Sequence, residues 1–130
     1  MTARDCIVLV DDDRDIVEGL AMILERPGRT VVLCSDVESA QIALERFPVT
    51  HVVSDVQFSG SFGFEGLHFL RRIREQQPSC VTVLISGAVT DDLEAEARKH
   101  GATAVLSKPF AMAEFEDALG GAAAASAAEF

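Results

Sequence analysis

The chain has 130 residues, 48% of them hydrophobic, and a formal net charge of −10. That is long enough for one domain with a proper core, too short for two ordinary ones, and too apolar for a disordered segment. The acidic balance argues against direct binding to DNA, RNA or an anionic membrane, whose phosphates would repel it.

A strand-like apolar run over 6–10 ends in Asp11-Asp12-Asp13. A helix over about 14–26 follows, with Ile16, Leu20, Ile23 and Leu24 in a one-sided stripe, stopped by Pro27-Gly28. A second strand, 30–34, leads into a capping box, Ser35-Asp36-Val37-Glu38. The helix it opens has Ile42, Leu44 and Phe47 on its apolar side and Pro48 at its end. The third strand, 50–54, reaches Asp55, and a helix over 65–76 then uses Leu67, Phe69, Leu70 and Ile73. The fourth strand, 81–85, ends at Ser86-Gly87. Thr90-Asp91-Asp92 suits a helix start and Lys99-His100-Gly101 a helix end. This fourth helix has little to bury beyond Leu93 and alanines, so it is expected to be the least firmly anchored. The fifth strand, 103–106, runs into Ser107-Lys108-Pro109, and a last helix from about Ala111 turns Phe115 and Leu119 inward. Residues 1–121 are expected to form the domain, with 122–130 an Ala-rich tail that is either a frayed helical extension or a linker.

Strand alternating with helix five times over implies a doubly wound α/β fold, a parallel sheet with helices on both faces. Right-handed crossovers then bring every strand C-terminus to one edge. Cys6, Cys34 and Cys80 lack metal-ligand spacing and read as small buried apolar residues in a reducing compartment. No run approaches the ~18–20 apolar residues of a membrane span. Asp5 and the acid triplet interrupt anything like a secretory signal, so a cytoplasmic location is expected. His51, His68 and His100 are scattered and have no assigned role in chemistry.

The shared edge would gather Asp11, Asp12, Asp55, Ser86 and Lys108. Crowded carboxylates repel one another unless they are protonated or bind a cation. Oxygen-only ligands with few protein groups suit Mg²⁺. A carboxylate can attack phosphorus and form an acyl phosphate when positive charge shields it. A lysine and a hydroxyl are fitting partners for phosphoryl oxygens. Taken alone, the acid triplet would only favour a helix N-terminus, Ser86 would be an ordinary strand-end serine and Lys108 a solvated lysine. Their value is positional.

Along nearly all of residues 5–119 the chain resembles a bacterial two-component response-regulator receiver domain. The resemblance is carried by Val10-Asp11-Asp12, the strand-end Asp55, Ile85-Ser86-Gly87 and Ser107-Lys108-Pro109-Phe110. It implies a flavodoxin-like sheet of five parallel strands, order 2-1-3-4-5, flanked by five helices. It implies that Asp55 accepts a phosphoryl group from a histidine kinase or histidine phosphotransfer protein. Mg²⁺ would be held by Asp12 and Asp55 directly, by Asp11 through water, and by the backbone carbonyl of Gln57. Lys108 and Ser86 would hold phosphoryl oxygens, and Pro109 would follow a cis peptide. The resemblance implies a signalling domain rather than an enzyme, with only self-catalysed phosphoryl transfer and slow autodephosphorylation. Output would run through a downstream protein or an absent output domain, and a phosphorylation-dependent homodimer fits the same pattern. Asp13 is the leftover acid, read as a helix N-terminal residue.

Two features depart from the family pattern. Val105 stands where an aromatic switch residue is usual, so any shift should pass through the segment after Ser86 and the fourth helix. After Asp55 the chain is about three residues longer than is typical of the family and carries Phe58, Phe62 and Phe64 among glycines. Either one or two rings tuck onto the third helix, or the segment is an apolar flap beside the acceptor. A rival order of residues, Asp11 and Asp13 followed by Ser86 and Lys108, resembles haloacid-dehalogenase-like phosphatases. That family needs a further acidic pair after the lysine, where this chain has helix-borne Glu114, Glu116 and Asp117, and Asp55 would go unexplained. The alternative within the receiver family is a degenerate receiver acting as a phosphorylation-independent interaction module.

Overall fold

Runs rich in Val, Ile and Leu and unbroken by charge suit strands covered on both faces. The computed structural model describes residues 5–55, 64–87 and 89–128. Among them such runs form β1 (Asp5–Val10), β2 (Arg29–Cys34), β3 (His51–Asp55), β4 (Val81–Ser86) and β5 (Ala104–Ser107). All pairings are parallel and the order is β2-β1-β3-β4-β5, as expected. The crossovers are α1 (Arg14–Leu24), α2 (Val37–Arg46), α3 (Phe64–Gln76) and α4 (Asp91–Lys99), and α5 (Met112–Ala128) closes the chain order.

Alternate strand residues divide the core between the faces. Val8, Val10 and Val52 meet Ala40, Ala43 and Leu44 of α2 and Phe69 and Ile73 of α3. Ile7, Leu9, Val53, Val83 and Ile85 meet Val17 and Leu24 of α1 and Phe115 and Leu119 of α5. Truncating Phe69 or Phe115, both fully buried, to alanine should cost about 3–5 kcal/mol. A third, smaller cluster joins Leu70, Leu84, Ala97 and Ala102, with Leu93 and Val105 packed against it. Among the described residues it is the apolar cluster beneath α4, in line with the sparse apolar content of that helix. Capping matches at Thr90, which accepts from the Leu93 amide at 3.1 Å, and Gly101 takes φ +113° after the helix.

Several local expectations need correction. α1 ends at Leu24, before Pro27-Gly28, and buries Val17 and Leu24 while Ile23 is 46% exposed. The cap of α2 is Asp36, whose carboxylate accepts from the Ser39 amide at 2.8 Å; Ser35 lies outside the helix. α2 packs through Ala40, Ala43 and Leu44, leaving Ile42 and Phe47 exposed, because alanines let the helix lie close to the sheet. α5 starts at Met112 and runs on through Gly120-Gly121 to Ala128, which is the helical extension and not the linker of the two expected forms of the tail. Cys6 and Cys34 are buried free thiols, whereas Cys80 is only half-buried. Burial nonetheless pushes the Cys80 thiol up to about 12, so it stays protonated.

Candidate functional site

The parallel register sets the ends of β1, β3, β4 and β5 along one edge. Asp11 extends the pairing of β1 with β2: its amide donates to the Cys34 carbonyl at 3.1 Å. The residue is 7% exposed, and its Oδ1 accepts from the Asp13 amide at 2.9 Å. Asp12 and Asp13 are exposed. Asp13 caps α1, its carboxylate accepting from the amides of Asp15 and Ile16 at 3.1 and 3.4 Å.

Asp55 ends β3 half-buried, in register with Ile85. The next residue of β4, Ser86, is fully buried and pairs with Ser107. One residue beyond β5, the Lys108 amide donates to the Ser86 carbonyl at 2.8 Å. The lysine and the serine therefore share one backbone link. The Lys108–Pro109 peptide is cis, as the resemblance implied.

The lysine side chain turns back over the edge. Its Nζ lies 2.5 Å from Asp55 Oδ2 and 3.9 Å from Asp11 Oδ2. One ammonium thus answers two carboxylates from different strands. Burial alone would depress the lysine, but the hydrogen bond to Asp55 and the charges of Asp55, Asp11 and Asp13 outweigh it, and the ammonium is held above its ordinary range. For Asp11, burial raises the carboxyl and the charges of Asp55 and Asp12 add to the rise. The Asp13 amide and Lys108 pull it back.

The donor chemistry fits a hard cation. Oxygens of Asp11 and Asp55 converge on a single positive charge, and Asp12 stands next to them with open space on its β2 side. That space is a cavity of about 380 Å³ between Asp11, Asp12, Arg14 and Glu18 and, across it, Leu33 and Ser35. Among the described residues no three acidic, thiol or imidazole side chains form a closed cage. An ion that keeps most of its waters needs none, which is the habit of Mg²⁺.

The structure therefore brings together Asp11, Asp55 and Lys108 by direct contact and Ser86 by backbone register, with Asp12 beside them. Gln57, Phe58 and Phe62 lie outside the described residues, and Phe64 opens α3. Sequence reasoning gave His51 no part, yet it is buried at the opposite end of β3. Its Nδ1 is 2.7 Å from the Thr50 hydroxyl and its Nε2 2.9 Å from the Leu119 carbonyl. That carbonyl only accepts, so Nε2 carries the proton and the ring is a satisfied core histidine. The link to Asp13 was missed as well; a capping residue directly after an acid pair was the available signal.

Comparison with known proteins agrees with this fold. The family model described as the response regulator receiver domain matches residues 7–120. The transcriptional regulatory protein FixJ of Bradyrhizobium diazoefficiens is 33% identical over 110 residues, covering 85% of this chain and 52% of that protein. The chain spans from about a fifth to about half of the length of the curated relatives it matches. A receiver domain of an HD domain-containing protein from Pseudomonas fluorescens superposes with TM-score 0.81 at 28% identity, covering 96% of this chain and 98% of that one. A response regulator from Burkholderia pseudomallei, solved with a phosphorylated aspartic acid, a calcium ion and citrate, superposes with TM-score 0.81 at 22% identity. It covers 96% of this chain and 72% of its own. With its sheet order, its strand-end acids and lysine, and a family match over nearly its whole length, the chain belongs to the response regulator receiver domain family.

Proposed function

We propose that this receiver domain takes a phosphoryl group on Asp55 from the phosphohistidine of a histidine kinase or histidine phosphotransfer protein, with Mg²⁺ as its metal. The observation that carries the reading is the Lys108 ammonium set between Asp55 and Asp11, 2.5 and 3.9 Å from their Oδ2 atoms. An oxygen of the Asp55 carboxylate attacks phosphorus. The phosphorus–nitrogen bond to the donor imidazole breaks, and its electron pair leaves with the ring, which ends neutral because its other nitrogen carries a proton. Asp55 becomes a mixed anhydride and so loses its own charge to the phosphoryl oxygens. Lys108 then follows the charge onto a phosphoryl oxygen, and the Ser86 hydroxyl donates to another.

Asp11, Asp12, Asp55 and the Gln57 carbonyl are the groups that would hold the cation. Bound there, Mg²⁺ supplies the positive charge that lets an anionic oxygen approach an anionic phosphoryl group. The Burkholderia neighbour, with its phosphorylated aspartic acid and calcium ion, supports an acyl phosphate and a divalent ion on this fold. Curated relatives named as transcriptional regulatory proteins extend well beyond the segment they share with this chain, which is 52% of one and 24% of another, and this supports an output function beyond the receiver itself. Among the described residues no helix is long and apolar enough to cross a membrane, and we place the domain's action in the cytoplasm.

With Val105 in β5, signal passes through the segment after Ser86 to α4, whose apolar footing is a small cluster containing Leu84, Ala97 and Leu93. The experiment is intact-mass analysis with Mg²⁺ and a small phosphodonor such as phosphoramidate. The mass should rise by one phosphoryl group, and Asp55→Asn should abolish the rise. No labelling of the wild-type protein would instead favour a phosphorylation-independent interaction module.

A further inference from the structure

We propose that Asp13 is the positioning residue for Asp11: by capping α1 it fixes the backbone amide that holds one oxygen of the Asp11 carboxylate, leaving the other to face the acceptor site. The inference rests on the reading that Asp11 helps hold a divalent cation beside Asp55.

The two oxygens of Asp11 are already divided. Oδ1 accepts from the Asp13 amide at 2.9 Å, and Oδ2 is the atom nearest the Lys108 ammonium, at 3.9 Å. A buried carboxylate with free χ rotation would exchange these places. The amide prevents it. That amide is in turn held because the chain must pass from β1 to α1 within three residues. Asp13 makes the passage with extended dihedrals, φ −86° and ψ 103°. Its carboxylate accepts from the amides of Asp15 and Ile16, while its carbonyl accepts the first bond of the helix, from the Val17 amide at 3.2 Å. Upstream, the Asp11 amide is pinned to the Cys34 carbonyl at 3.1 Å. Asp11 therefore sits between two fixed points, one on β2 and one at the start of α1, and Asp13 makes the second. The third acid of the triplet acts on the site through geometry, as outer groups commonly do around a metal ligand.

Two substitutions separate this role from its neighbours. Asp13→Asn keeps a capping oxygen and loses the charge; Asp13→Ala loses both. Asp36→Ala removes the equivalent cap of α2, where Asp36 accepts from the Ser39 amide at 2.8 Å, and controls for lost stability alone. Mg²⁺ affinity is measured by calorimetry on the unphosphorylated proteins. Asp13→Ala should weaken Mg²⁺ binding about tenfold, while Asp13→Asn and Asp36→Ala stay within about twofold of wild type. The Mg²⁺ concentration that half-saturates labelling by phosphoramidate should rise in parallel, with little change in the rate at saturation. Hydrogen exchange without metal should find the residue-13 amide protected in wild type and Asp13→Asn, and unprotected in Asp13→Ala. Equal weakening in Asp36→Ala, equal weakening in Asp13→Asn, or unchanged affinity and amide protection in Asp13→Ala would each overturn the proposal. A wild-type protein that binds no Mg²⁺ while its residue-13 amide is protected would overturn the cation reading instead.

Discussion

Strand β3 begins at His51 and ends at Asp55, and its two ends handle polarity in different ways. At the Asp55 end the groups are ionised, and Lys108 balances Asp55 and Asp11 across strands. At the His51 end the group is neutral and its bonds are filled: the ring reaches Thr50 and Leu119, and Thr50 Oγ1 accepts from the Cys6 amide at 2.8 Å. A charge balanced by a counter-charge can be rebalanced when another ion or a phosphoryl group arrives. A neutral, saturated network has nothing to exchange. The first arrangement suits a site and the second an anchor, which here ties β1, β3 and α5 together at the far side of the sheet.

Breaking the charged end should give the largest effect. Lys108→Ala should slow labelling of Asp55 by phosphoramidate about a hundredfold, the usual cost of losing a cation aimed at developing phosphoryl charge. Urea unfolding should show the variant still cooperatively folded, since Lys108 belongs to none of the apolar clusters of the core.

Breaking the neutral end should instead affect stability. His51→Leu removes the ring's two buried hydrogen bonds, to Thr50 and to the Leu119 carbonyl, and should cost about 2 kcal/mol in urea unfolding while leaving the labelling rate near wild type. The same residue gives the pH dependence. Burial lowers the His51 pKa below its ordinary 6.5, outweighing the opposing pull of Asp5 and the Leu119 carbonyl, and Arg29 adds to the lowering. As pH falls below 6.5 the unfolded chain takes up a proton that the folded state refuses. The His51 contribution is therefore fully present above 6.5, declines below it, and levels off under the folded pKa. Urea midpoints measured against pH should show this slope in the wild type and not in His51→Leu.

Most of the charged end was legible in the sequence and the neutral end was not. Asp11, Asp55, Ser86 and Lys108 each follow an apolar run, and in a parallel sheet that fact alone sets them on one edge. His51 is bonded to Leu119, 68 residues later, and no local pattern announces such a partner. The helix faces were misjudged for a related reason. A stripe such as Ile16, Leu20, Ile23 and Leu24 shows that a side is apolar, but not how wide a band the sheet will cover. Ile23, Ile42 and Phe47 fell outside that band once Val17, Ala40 and Ala43 had taken the contacts. Ser35 and Asp36 are both good caps, and only the backbone decides between them.

The smallest effect is expected at α4. Leu93 is half-buried on the cluster beneath α4. Leu93→Ala should cost about 1 kcal/mol, raise amide exchange along α4 rather than along α1, and leave Asp55 labelling unchanged. Faster exchange spread over the whole sheet would mean that α4 is no more loosely held than its neighbours.

The most direct test of the central claim is a crystal structure of the protein with Mg²⁺ and beryllofluoride, the latter standing in for a phosphoryl group. Beryllium should be bonded to an oxygen of Asp55, with the Lys108 ammonium moved from that carboxylate to a fluorine and the Ser86 hydroxyl on another. A structure in which Lys108 still pairs with an unmodified Asp55, with the mimic absent or bound elsewhere, would contradict it.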